Sequence, residues 1–149
     1  MSQAIAARSA EQPGGPRRQS LEQQRAAQAA KDVRSMKGQA DAGRYRSLIE
    51  GLPAMILANG LGQTCAYLLS RAESNESYER RLYHQLEAWL RRRLPELQQQ
   101  GLLDALMAMH VAAYRRAQVE ALAYLQWLKR FAQAELPRGE QQRMSREGV

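Results

Sequence analysis

From Leu102 to Leu136 the chain runs 35 residues without a proline or a glycine. Strong helix formers fill that run, chiefly alanine, leucine, glutamine, glutamate and arginine. Its core-side positions Tyr114, Ala117, Ala121, Leu122, Leu125, Leu128 and Ala132 recur at the spacing of one helix face, with Tyr124, Trp127 and Phe131 continuing or bordering it. One unbroken helix would measure about 52 Å, too long for a domain of this size. A break is therefore expected between Met109 and Ala113, where the apolar face changes.

The remaining segments repeat the same period. Alternation is absent and β-branched residues are few, so an all-α fold is expected: a compact single-domain bundle of about five to six helices. Ser20 and Gln23 form a capping-box pattern that opens the first helix, with the stripe Leu21, Ala26, Ala29, Ala30, Val33 and Met36. Gly38 or Gly43 is expected to end it. A second helix buries Tyr45, Leu48, Ile49, Leu52, Met55 and Ile56, with Pro53 expected to bend it. Leu61, Cys65, Leu68 and Leu69 resume the spacing after Asn59-Gly60. The loop AESNES offers Ser74 or Asn75 as the next cap, and Tyr78, Leu82, Leu86, Trp89, Leu90 and Leu94 follow before Pro95 stops that helix. Residues 1–19 and 137–149 lack apolar periodicity and read as disordered tails, leaving 20–136 as the bundle domain.

"PAMILANGLGQTCAYLLS", residues 53–70, is the stretch that most invites a chemical reading. It contains Pro53, Asn59, Gln63 and Thr64, too polar a set for a membrane span. Gly60 and Gly62 lack the preceding strand, third glycine or following lysine of a nucleotide loop. The segment reads as a bent core helix, with Asn59 and Gln63 expected to satisfy backbone freed at the bend or to face a neighbouring subunit. Cys65 is the only cysteine, which excludes an intramolecular disulfide and a cysteine-based zinc site. His84 has Glu87 three residues on, a poor metal site, and His110 lies on another helix. Glu22, Asp32, Glu79 and Glu120 are scattered singly and read as solvated faces. No catalytic constellation, metal site or cofactor motif emerges. The first residues lack the apolar core of a signal peptide, and a cytoplasmic location is expected.

Charge points to the partner. Of 22 basic residues, 19 are arginine, and the formal net charge is +7. The guanidinium fork suits phosphate, so a polyanion is expected. Arg91-Arg92-Arg93, Arg80-Arg81 and Arg115-Arg116 spread this charge over several helices, which suits backbone gripping rather than base readout. Arg116 also has Glu120 at i,i+4.

The segments LEQQRA, YRSLIEGLPAMILANGLGQTCAYLLSR, LYHQLEAWL and AYRRAQVEALAYLQWLKRFAQAEL together resemble the small helical subunit of the type III-B CRISPR effector. That subunit is the fifth protein of the RAMP module, the Cmr complex, and the resemblance spans about residues 20–136. It implies a non-catalytic bundle whose copies stack into a minor filament beside the RAMP backbone filament that carries guide RNA. The implied partners are the guide RNA–target RNA duplex, the RAMP backbone subunit and other Cmr subunits, and copies of itself, with no membrane and no small-molecule substrate. The matching basic residues, implied as RNA-backbone contacts, are Arg25, Arg71, Arg115, Lys129 and Arg130. Two other readings remain open: a purely protein-binding scaffold, and a metal-independent ribonuclease acting through His84 or His110.

Overall fold

A computed structural model describes residues 18–139. It contains six α-helices and no strand among those residues: α1 (Leu21–Arg34), α2 (Ala42–Asn59), α3 (Leu61–Arg71), α4 (Tyr78–Arg93), α5 (Leu102–Ala108) and α6 (Val111–Glu135). A short 3₁₀ turn, Pro95–Leu97, lies between α4 and α5. The all-α bundle expected from periodicity is the observed fold.

Each boundary has a local cause. At α1, Ser20 Oγ accepts from the Gln23 N–H at 3.1 Å while Gln23 Oε1 accepts from the Ser20 N–H at 2.8 Å, a complete capping box. The helix ends at Arg34, ahead of both expected glycines, and Gly38 serves the following turn with φ 79°. α4 is capped by Ser77, whose Oγ accepts from the Arg80 N–H. The cap is thus Ser77 rather than Ser74 or Asn75. Ser74 instead holds the loop, accepting from the Ser77 hydroxyl at its carbonyl and from the Glu76 N–H at its own hydroxyl. The long run breaks within the expected window, at Met109 and His110, both extended. His110 Nδ1 then accepts from the Ala113 N–H at 3.3 Å and caps α6.

α6 is the spine, packing along α1 and α2 and touching α3 and α4. Tyr45, Ile49, Leu52 and Ile56 of α2 and Leu82, Leu86, Trp89 and Leu90 of α4 are buried in the same core. α1 contributes the small side chains Ala29 and Ala30 with Val33, so its backbone lies close to α6. Full burial of each leucine or isoleucine stabilises the bundle by about 1.5–3 kcal/mol. The packed chain runs past Leu136: the Arg138 carbonyl lies so near Gly43 that a Cβ there would stand 2.8 Å from it. Residues 137–139 thus continue as chain lying against α2, Arg18 and Gln19 are exposed, and residues 1–17 and 140–149 lie outside those described.

Gly60 separates α2 from α3 with φ 88°, a conformation that L side chains rarely adopt. Two donors freed at this break are satisfied from α6. The Leu61 N–H donates to Gln118 Oε1 at 3.0 Å, and the Gly62 N–H donates to the Tyr114 hydroxyl at 2.8 Å. The buried Thr64 hydroxyl returns to the Gly60 carbonyl at 2.9 Å. Asn59 and Gln63 are exposed, so the expectation that they satisfy the bend is corrected. α6 crosses the break and brings Tyr114 and Gln118, one turn apart, onto the two donors.

Candidate nucleic-acid interface

A guanidinium grips phosphate only with donors that the fold has not already used. Several arginines here are used. Arg34 pairs with Glu135 at 3.2 Å, and Arg46 pairs with Glu50 at 2.8 Å and donates to the Leu136 carbonyl. Arg91 donates to the carbonyls of Gln98 and Gln100 at 3.0 Å and pins the chain after the 3₁₀ turn. Arg92 donates to Gln28 and lies 5.0 Å from the Trp89 ring centroid. Arg116 pairs with Glu96, not with Glu120 one helical turn along as the i,i+4 spacing suggested.

Glu120 is taken from the other side. Arg25 reaches it from α1 with Nε to Oε1 at 2.9 Å and Nη2 to Oε2 at 2.6 Å. Trp89 Nε1 donates to the same carboxylate at 2.9 Å. Glu120 is 9% exposed, so the reading of it as a solvated face is corrected. Burial alone would raise its pKa. Hydrogen bonds from Arg25 and Trp89, with the fields of Arg25 and Arg93, outweigh that and hold the carboxyl below its ordinary value. Asp32 is likewise half-buried, accepting from the Tyr124 hydroxyl and from Gln28 Nε2, and burial raises its carboxyl. Both acids lie on inward-facing stripes that spacing could have revealed: buried Ala113, Ala117, Glu120 and Tyr124 on α6, and half-buried Arg25 and Asp32 with buried Ala29 on α1.

Arg25 therefore clamps α1 onto α6 with its side chain 15% exposed. The other four basic positions singled out from the sequence are placed differently. Arg71, Arg115 and Arg130 are exposed and Lys129 is half-exposed, and none has an ion-pair or hydrogen-bond partner among the described residues. Lys129 and Arg130 each lie within about 60° of Arg115 around the α6 axis, and about 21–23 Å along it, so the three share one outward face. Arg71 stands apart, at the end of α3.

Beside Arg115 the same face carries apolar surface. Leu57, Met109, Val111, Val119 and Leu122, with Tyr114 and Gln118, line a shallow groove of about 670 Å³. Leu57 is 72% exposed and Val111 and Val119 are each 66% exposed, an apolar grouping of the kind that marks a protein-contact surface.

The remaining chemical candidates serve the fold. Glu87 accepts the Leu102 N–H at 2.8 Å and the Tyr83 hydroxyl accepts the Leu103 N–H at 3.1 Å, so both cap α5. His84 lies 3.4 Å from Glu87, and no group of three metal-ligating side chains occurs among the described residues. Burial pushes the Cys65 thiol up to about 12, so it is not thiolate near neutral pH. Tyr124 is buried and stacked on Trp89. Trp127 is stacked on Phe131, with its indole N–H on Glu22, which makes the aromatic row a packing feature. No helix of the described residues is long and apolar enough to cross a membrane.

Comparison with known proteins places the fold in a family. The family model described as CRISPR-associated protein (Cas_Cmr5) matches residues 21–135. Among solved structures, the chain is similar to the X-ray crystal structure of a CRISPR-associated Cmr5 family protein from Thermus thermophilus. The two are 29% identical with a TM-score of 0.68, over 80% of this chain and 100% of that one.

Proposed function

The chain belongs to the Cmr5 family of CRISPR-associated proteins, and from that membership we propose that it is a non-catalytic structural subunit of the type III-B Cmr effector. Residues 20–136 form its folding unit. In the assembly it stacks with copies of itself beside the RAMP backbone subunit and contacts the guide–target RNA backbone through basic helix faces. The observation that carries the RNA contact is the division of cations by the fold. The Arg25, Arg34, Arg46 and Arg116 side chains are held by carboxylates, while Arg71, Arg115, Lys129 and Arg130 have none among the described residues. Arg115, Lys129 and Arg130 on one helix face suit phosphates along a strand, without base readout. Arg25 acts indirectly in this reading, by fixing α1 on α6.

A purely protein-binding role is the second reading, favoured by the apolar groove around Val111 and Val119. In an effector subunit that groove serves contact with a neighbouring subunit. Affinity purification of the tagged protein from its native cells tests the proposal. Guide RNAs with a shared repeat-derived 5′ tag, together with RAMP proteins, are the expected co-purified species. An RNA-free preparation with one unrelated partner would overturn the effector role.

A further inference from the structure

A second recess adjoins the basic face of α6, on the side toward α4. It has a volume of about 560 Å³, and Arg93, Leu94, Pro95, Glu96, Arg115, Arg116, Val119 and Glu120 line it. Pro95 ends α4 and turns the chain into the 3₁₀ element, which brings the last arginine of α4 opposite the first turns of α6. Two separate elements thus converge on one open recess.

Its charges do not cancel. Glu96 is paired with Arg116, and its own backbone N–H together with Arg116 holds its carboxyl below the ordinary value. Glu120 is paired with Arg25, which reaches it from α1. Both carboxylates are therefore ionised near neutral pH and each has its own guanidinium. Arg93 and Arg115 lie outside those two pairs, both exposed and neither with an ion-pair partner among the described residues, although the field of Arg93 reaches Glu120. Leu94, Pro95 and Val119 supply apolar surface beside them.

We propose that this recess is an RNA subsite in which Arg93 and Arg115 hold the two phosphodiesters flanking one nucleotide. The nucleoside lies against Leu94, Pro95 and Val119. Each guanidinium offers paired N–H donors that match phosphate oxygens, and the excess positive charge complements the strand. The subsite rests on the proposed RNA-contact role and adds Arg93, which motif resemblance did not single out. It joins the basic face of α6 at Arg115, so one strand can run from the recess toward Lys129 and Arg130.

The test measures anisotropy of a labelled single-stranded 12-nucleotide RNA with the full chain, across a salt series. Arg93→Gln and Arg115→Gln are each expected to weaken binding about 3- to 10-fold and to reduce the salt slope by about 0.7. Arg93→Lys is expected to keep the slope near wild type, because charge is retained. If only Lys129→Gln/Arg130→Gln weakens binding while Arg93→Gln changes nothing, the subsite is overturned and RNA contact stands. If the wild-type chain fails to bind RNA, the subsite is overturned, while RNA contact within the assembly is decided separately on the reconstituted complex. If a poly-glutamate peptide binds with dependence on Arg93 and RNA does not, the recess belongs to an acidic protein segment, which also overturns the proposal. Circular dichroism of each variant confirms that the helices are intact, and both arginines are exposed.

Discussion

Arg25 and Glu120 lie 95 residues apart in sequence and meet through two N–H···O bonds of 2.9 and 2.6 Å. The pair joins α1 to α6 in a largely buried site, with Trp89 as a third donor on the same carboxylate. Removing one partner strands the other charge, which is more costly than the net worth of the pair. Glu120→Ala or Arg25→Ala is expected to destabilise the protein by about 3 kcal/mol in urea unfolding. The double variant should be less destabilised than the sum of the two, a coupling that a double-mutant cycle measures. Additive effects would mean that the ion pair does not join the helices.

The same carboxylate sets an acid limit. Its folded-state pKa lies below the ordinary value of 4.5, so its contribution is fully present above the unfolded pKa. That contribution is lost as pH falls through the folded pKa. Glu120→Gln should flatten the fall of unfolding free energy below about pH 4.5. An unchanged pH profile in the variant would assign the acid sensitivity to other groups. Asp32 acts in the opposite sense, because burial raises its pKa, and its contribution weakens as pH rises through the raised value.

The α2–α3 break depends on hydroxyl and amide groups of α6. Tyr114→Phe leaves the Gly62 N–H without its acceptor and should cost about 1–2 kcal/mol. Gly60→Ala should cost at least about 1 kcal/mol, because φ there is 88° and the new Cβ would stand 3.2 Å from the Tyr114 hydroxyl. Thermal unfolding of the two variants checks both. A neutral Tyr114→Phe would show that water replaces the hydroxyl without loss.

Cap identity is separable at the loop before α4. Ser77→Ala should cost about 1 kcal/mol, the usual loss of an N-cap side chain. Ser74→Ala also removes loop hydrogen bonding, but its hydroxyl accepts only from the exposed Glu76 N–H, and the effect should stay within about 0.5 kcal/mol. Equal costs would return Ser74 to a role in starting the helix.

The helices were legible because each carries its own period and its own stop: Ser20 with Gln23, Asn59-Gly60, Pro95, and the face change near Met109. The partners of polar side chains were less legible. Spacing tells which way a residue points on its helix, but the groups it meets belong to other helices. Glu120 has Arg116 one turn before it, yet its ligand comes from α1 and Arg116 turns to Glu96. Asn59 and Gln63 sit beside the freed backbone, yet Tyr114 and Gln118 reach it from α6. Among the basic positions, resemblance picked five, and the fold separates them. Arg25 is enclosed, Arg115, Lys129 and Arg130 share a face, and Arg71 stands on another helix.

The central claim is that cations left unpaired by the fold hold RNA within the effector. The most direct measurement is target-RNA affinity of the reconstituted Cmr complex carrying Arg115→Glu, Lys129→Glu and Arg130→Glu in this subunit, over a salt series. The expected result is intact assembly, weaker target binding by about tenfold or more, and a salt slope reduced by about 0.7 per lost contact. Unchanged affinity and slope in a fully assembled complex would contradict the claim and leave this subunit a protein-binding scaffold.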